Sequence, residues 1–272
     1  MADFDKETYN RLRQETLELY KHSGFQELKD LALIELPNDL QQLFSNTNDL
    51  YNSRGRGSPF DDIRDRSQKS SDTYAHSLLF GGVQEGISGC FYHCRQFTRI
   101  EGLIRQKGME IFSTFKPSKS ITLDISGQKL TFEYESFMFL SRATLDRLNW
   151  LFNYYFLSDA RNLYKLVPVL KSKSVNSLRA TRILQVIEDH RDFLNTQIGS
   201  EKGQTERDKI AHKEHILFVV INIIYDRATE TVKVLLVSPD GTVDEASLVL
   251  LDRLNNLKMF VTDAISAFSK PV

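Results

Sequence analysis

The sequence predicts a mainly α-helical protein, a helical bundle interrupted by two β-hairpins at about residues 120–135 and 217–238. Three observations carry this expectation. Apolar residues recur every three or four positions through most of the chain, the spacing of helices that bury one face. Two short stretches switch to a period of two on either side of a turn. Of the 272 residues, 41% are hydrophobic and 26% charged, which suits a folded globular chain and is too apolar for a disordered one.

Other classes are disfavoured at the same level. The longest apolar run, Ile216 to Ile224, is broken by Asn222 and falls short of the ~20 residues of a membrane-spanning helix. The first residues, Met-Ala-Asp-Phe-Asp-Lys-Glu, are acidic and lack the apolar core of a secretory signal. Two cysteines do not make a disulfide framework. A soluble, cytoplasmic protein with no membrane association is expected.

Taken in order, residues 1–50 read as helices, with Tyr9, Leu12, Thr16, Leu19 and Tyr20 in phase and Leu28, Leu31 and Ala32 continuing the pattern. Pro37-Asn38-Asp39 opens another helix, burying Leu40, Leu43 and Phe44. Asn52 to Pro59 is the most loop-like stretch, an exposed connector, and Asp61, Asp62 and Asp65 beside it read as a solvated helix start. Residues 1–70 are expected to be an N-terminal helical extension and 71–272 the principal domain, unless the two close into a single compact domain. A helix is expected from Ser71 to about Phe112, capped by Ser71 or Asp72. Ile121-Thr-Leu-Asp-Ile and Leu130-Thr-Phe-Glu-Tyr, joined by Ser126-Gly127, predict the first hairpin. Helices follow over Ser136 to Leu157 and Val175 to Gln197. After the break Gly199-Ser-Glu-Lys-Gly203, a new helix opens at Thr205. Phe218–Tyr225 and Thr231–Val237 predict the second hairpin, and Ala246 to Phe268 the closing helix.

Two clusters along this path invite a chemical reading. Gly82, Gly86 and Cys90 stand at i, i+4 and i+8 inside a helical pattern. No strand precedes them, so they predict a close helix–helix contact and not a phosphate loop. Cys90 and Cys94 share a helix face around His93, but a structural zinc site needs four ligands and no second cysteine pair exists. They read as core cysteines, with no metal.

The net charge of −1 hides an asymmetry. Residues 1–50 carry 10 acids and 5 bases, residues 51–182 carry 12 and 20, and residues 183–272 carry 14 and 10. Arg161, Lys165, Lys171, Lys173, Arg179 and Arg182 fall in a stretch with no Asp or Glu between Asp159 and Glu188. This basic middle predicts either a polyanion-facing surface or a solvated face balanced by the acidic first third.

One segment carries a catalytic pattern: Thr205-Glu206-Arg207-Asp208-Lys209-Ile210-Ala211-His212-Lys213. Arg207 and His212 are separated by four residues at the opening of a helix. Thr205 also fits an N-cap with Asp208 at N3, which would make Asp208 structural. A histidine titrates near neutrality and can move a proton in either direction, while an arginine stays charged and offers a forked donor to phosphate oxygens. Cleavage of RNA through its own 2′-hydroxyl needs a base, an acid and positive charge on the phosphate, roles that these two residue types can supply. One histidine cannot be base and acid in the same step, whereas a two-fold dimer supplies two. On a regular helix five residues turn the side-chain direction by about 140°, so a shared site needs the long arginine to reach round or an irregular helix start.

Arg207-Asp208-Lys209-Ile210-Ala211-His212 resembles the signature of the HEPN superfamily. Leu145-Asp146-Arg147-Leu148 resembles its neighbouring packed helix. The resemblance implies a HEPN-like helical bundle and a metal-independent endoribonuclease acting at a composite homodimer site, with no cofactor and a 2′,3′-cyclic phosphate product. Arg207 and His212 would be catalytic and Asp208 would orient them. Lys209 and Lys213 would hold RNA beside them, and the basic middle, with Arg179 and Arg182, would guide it. Many members act in bacterial defence or toxin–antitoxin systems, so an antitoxin or defence-system protein is an implied partner. Others are non-catalytic modules that bind RNA, nucleotide or protein, and that alternative stays open. So does a helical interaction protein outside the superfamily. The match covers about ten residues and says nothing of residues 1–70 or of the hairpins.

Overall fold

The chain divides into two compact units, Met1–Glu35 and Leu36–Val272. The computed structural model describes residues 34–53, 57–66, 71–115, 117–123, 127–198, 220–237 and 243–271, nearly all of them in the second unit. These residues are mainly helical, with one small antiparallel sheet.

Helices α1 (Asn38–Ser53) and α2 (Pro59–Arg66) bury Leu40, Phe44, Phe60 and Ile63 in the same core as the later helices. The next helix begins as α3 (Ser71–Leu78), widens into a π-helical segment (Leu79–Gln84) and continues as α4 (Glu85–Phe115). It packs against α5 (Gln128–Phe156).

The glycine stripe explains how closely these two approach. A Cβ on Gly86 would lie 2.3 Å from Thr144 Oγ1, one on Gly82 2.8 Å from Arg147 Cδ, and one on Gly89 2.6 Å from Leu140 Cδ1. Cys90 continues the stripe with its sulfur 3.9 Å from the Phe137 carbonyl. The small residues are packing elements, as their spacing predicts.

The remaining helices among the described residues are α6 (Leu163–Ser174), α7 (Leu178–Asp189), α8 (Arg191–Ile198) and α9 (Ala246–Ser269). Where the sequence predicts one helix over residues 175–197, there are two, preceded by α6. Ser177 caps α7 by accepting from the Ala180 N–H at 3.2 Å. His190 leaves helical geometry at φ −101° and ψ 20°, and its Nε2 lies 2.8 Å from Asp263 Oδ2 on α9. Helix α9 also holds α1, through Lys258 Nζ to Asp39 Oδ2 at 2.6 Å.

The sheet runs β1 (Ile121–Leu123), β2 (Val220–Asp226), β3 (Thr231–Val237), β4 (Val243–Glu245), every pair antiparallel. The second hairpin forms in register, Val220 opposite Val237 and Asp226 opposite Thr231. Val232, Val234 and Leu236 turn inward. Val232 closes on Gly108 of α4, where a Cβ would come within 2.7 Å of it, and Tyr225 stacks on Phe112 at 4.3 Å.

The first hairpin does not form as expected. Its leading arm is strand β1, but β1 pairs with β2, Ile121 opposite Tyr225. The expected return arm, Leu130 to Tyr134, lies in α5. Five residues of alternating character also satisfy a helical phase: Leu130 and Tyr134 are buried at i and i+4, and Phe137, Met138 and Ser141 extend the face. Phe132 is left 62% exposed. The length of the helical pattern outweighs the short alternation.

Candidate functional site

Arg207, Asp208, Lys209, His212 and Lys213 lie outside the described residues. The described chain leaves α8 at Ile198 and resumes in β2 at Val220, so both flanks of the motif segment belong to ordered elements. Next to the first flank, Gln197 is buried. Its amide oxygen accepts from Ser141 Oγ of α5 at 3.2 Å, while its amide nitrogen has no hydrogen-bond partner. In the segment resembling the neighbouring HEPN helix, Asp146 accepts from Arg142 Nε at 3.0 Å and Arg147 lies over Gly82.

Arg179 requires a correction. Expected among the RNA-guiding cations, it is 1% exposed. Its Nε donates to the Phe268 carbonyl at 2.8 Å, Nη1 to Asp62 Oδ2 at 2.6 Å and to the Tyr155 hydroxyl, and Nη2 to the Gly57 carbonyl at 2.9 Å. The guanidinium also sits 5.1 Å from the centre of the Tyr155 ring. The Tyr155 hydroxyl donates to Asp62 Oδ2 at 2.5 Å, and burial followed by that bond raises it above the ordinary phenol range. Arg179 thus ties α2, α5, α7 and the end of α9 together and is not available to a surface ligand. A signal for this was present in the sequence. Arg179 stands in phase with Ile183 and Ile187, on the apolar stripe of α7.

Arg182 remains nearer the surface, where Nη1 donates to the carbonyls of Lys270 and Pro271, both at 3.2 Å. Arg161, Lys165, Lys171 and Lys173 are exposed, with Lys171 Nζ 3.8 Å from Glu188 Oε1. The basic stretch is therefore a surface feature of α6 and its approach, without its most buried member.

Two clefts lie on either side of the C-terminal end of α5. One, of about 570 Å³, is lined by Asp62, Asp65, Tyr155, Leu157, Lys173 and Ser177. Leu157 ends α5 with φ 54°, a left-handed conformation that is unfavourable for a branched side chain, and is itself 76% exposed. The other, of about 450 Å³, is lined by Tyr74, Trp150, Asn153, Tyr154, Asp159 and Arg161 among others. Tyr74 and Tyr154 meet edge to face, centroids 5.0 Å apart. Asn153 fixes the floor by donating to the Ala160 carbonyl at 2.6 Å and accepting from the Ala160 N–H at 3.1 Å, and Asn149 donates to the same carbonyl at 2.8 Å. Sequence reading missed this cleft, because its aromatic residues come from α3 and α5 and meet only through helix packing.

Cys90 and Cys94 are core atoms, and burial raises both thiols, Cys94 to about 11. His93 Nδ1 lies 2.6 Å from Glu133 Oε2 on α5. Among the described residues no helix is long and apolar enough to cross a membrane.

No family model, curated protein or solved structure matches the chain. The likeness to the HEPN superfamily accordingly rests on the motif segment, residues 205–213, with looser support from residues 145–148 on α5.

Proposed function

We propose that the protein is a cytoplasmic, homodimeric, metal-independent endoribonuclease of HEPN type, with Arg207 and His212 as its catalytic residues. The observation that carries this reading is the hexapeptide Arg207-Asp208-Lys209-Ile210-Ala211-His212, opening a helical pattern directly after a glycine-containing break. The mainly helical body and the exposed cations Arg161, Lys165 and Lys173 are compatible with it. An antitoxin or defence-system protein would be the natural regulator of such an activity.

In the reaction, one His212 accepts the proton of a ribose 2′-hydroxyl as its oxygen attacks the adjacent phosphorus. The bond to the 5′-oxygen breaks, and the second His212 protonates the departing oxygen. The products are a 2′,3′-cyclic phosphate and a 5′-hydroxyl. Arg207 stabilises charge building on the phosphate oxygens, with Asp208 holding the pair in place and Lys209 and Lys213 retaining the backbone. Incubating the purified dimer with total RNA in EDTA, then identifying the new ends, tests the proposal. New 2′,3′-cyclic phosphate ends support it. Salt-sensitive RNA binding without cleavage replaces it with a non-catalytic module.

A further inference from the structure

We propose that the cleft between α3 and the C-terminal end of α5 is a stacking subsite for one nucleotide of single-stranded RNA, with Trp150 and Tyr74 taking the base and Arg161 the phosphate. The choice of RNA as the polymer rests on the proposed ribonuclease function, whereas the chemistry of the cleft stands on its own geometry.

Four features converge. Trp150 and Tyr74 are 52% and 49% exposed, an unusual placement for two large aromatic side chains lining one depression. The contact between Tyr74 and Tyr154 fixes the Tyr74 ring. The floor is pre-set by the hydrogen bonds from Asn149 and Asn153 to Ala160, so binding need not order a loop. Arg161 is exposed, and among the described residues no ion pair or hydrogen bond engages it. Every base has a π-face, and a cation beside stacked aromatic rings is the usual arrangement for single-stranded nucleic acid.

The local charge selects the ligand. Among the described residues lining this cleft Asp159 is the only carboxylate, and no acid follows it in sequence until Glu188. A quaternary ammonium group would also suit aromatic walls, but Arg161 at the rim repels a cation and attracts a phosphate. Asp159 can accept from the amino group of a base.

Trp150 is the single tryptophan of the chain, so intrinsic tryptophan fluorescence reports on this cleft alone. The His212→Ala protein, used to prevent cleavage, is titrated with a short single-stranded RNA, with a mononucleotide and with tetramethylammonium chloride. RNA should quench Trp150 saturably and more weakly as salt rises, while the mononucleotide quenches less at equal nucleotide concentration. Arg161→Ala and Tyr74→Ala should each weaken RNA binding by about tenfold. Arg161 is on the surface, so its variant keeps the fold, which circular dichroism verifies. Absence of quenching, quenching that both variants leave unchanged, or a response to tetramethylammonium alone would each overturn the proposal. Wild-type cleavage without quenching removes the subsite and leaves the nuclease standing. Quenching without wild-type cleavage does the reverse.

Discussion

Arg179 Nη1 donates to Asp62 Oδ2 at 2.6 Å across 117 residues of sequence. The guanidinium is buried while the Asp62 side chain is 40% exposed, so the pair joins the inside of α7 to the rim of a cleft. Arg179→Ala removes one donor from each of the Phe268 and Gly57 carbonyls and the buried guanidinium from Asp62. It should destabilise the fold by about 3 kcal/mol, the lower end for a broken buried pair because Asp62 keeps the Tyr155 hydroxyl and some solvent. Urea unfolding checks this through a lower midpoint at unchanged slope. Arg182→Ala, at the surface, should shift stability by less than about 0.5 kcal/mol.

The α4–α5 contact predicts opposite effects of one substitution at two glycines. Gly86→Ala would place a methyl 2.3 Å from Thr144 Oγ1, whose hydroxyl is engaged with the Leu140 carbonyl at 2.8 Å. A loss of about 1–3 kcal/mol is expected from the overpacking. Gly102→Ala, in the same helix with nothing within 4 Å, should gain about 0.5–1 kcal/mol through helix propensity. Thermal melts of the two variants should move in opposite directions.

Asp226 organises the second hairpin. It accepts from Lys233 Nζ at 2.7 Å, the Thr229 hydroxyl at 2.9 Å and the Ala228 N–H at 3.0 Å. These bonds, the one from Lys233 first, lower its carboxyl from 3.8 to about 2. A carboxylate depressed in the folded state adds stability above its unfolded value and loses it as pH falls through the folded one. The advantage of wild type over Asp226→Ala should therefore be constant above about pH 4 and shrink toward pH 2. An NMR titration of the Asp226 carboxyl checks the same point. A midpoint near 4 would show that the turn does not hold the charge.

How far the sequence reached depended on the range of the cause. Gly82, Gly86 and Cys90 act at one-turn spacing, and the α4–α5 contact they predict is present. Thr231–Val237 alternates over seven residues, long enough for its strand to be read directly. Leu130 to Tyr134 misled because five residues fit both periods, and the longer helical phase through Phe137 and Ser141 decides between them. The charge of Arg179 suggests the surface, although its position in phase with Ile183 and Ile187 places it inside. The Trp150–Tyr74 cleft depends on two helices meeting, which spacing within one segment does not encode. Arg207 and His212 are legible only as a motif, and Lys209, Lys213 and Asp208 follow from it.

The motif makes its own prediction about variants. His212→Ala should retain fold and dimerisation and lose cleavage by about 10²-fold or more, the scale of positioned acid–base catalysis. Arg207→Ala should lose a comparable factor through lost stabilisation of phosphate charge. Lys213→Ala should mainly weaken binding and make its loss with salt shallower, by about one unit in the log–log slope.

The most direct measurement is the incubation of total RNA with wild type beside His212→Ala, in EDTA, at equal concentrations of folded protein. The proposed mechanism predicts cleavage by wild type alone, with 2′,3′-cyclic phosphate ends. Equal cleavage by the two proteins, or none by either, contradicts it.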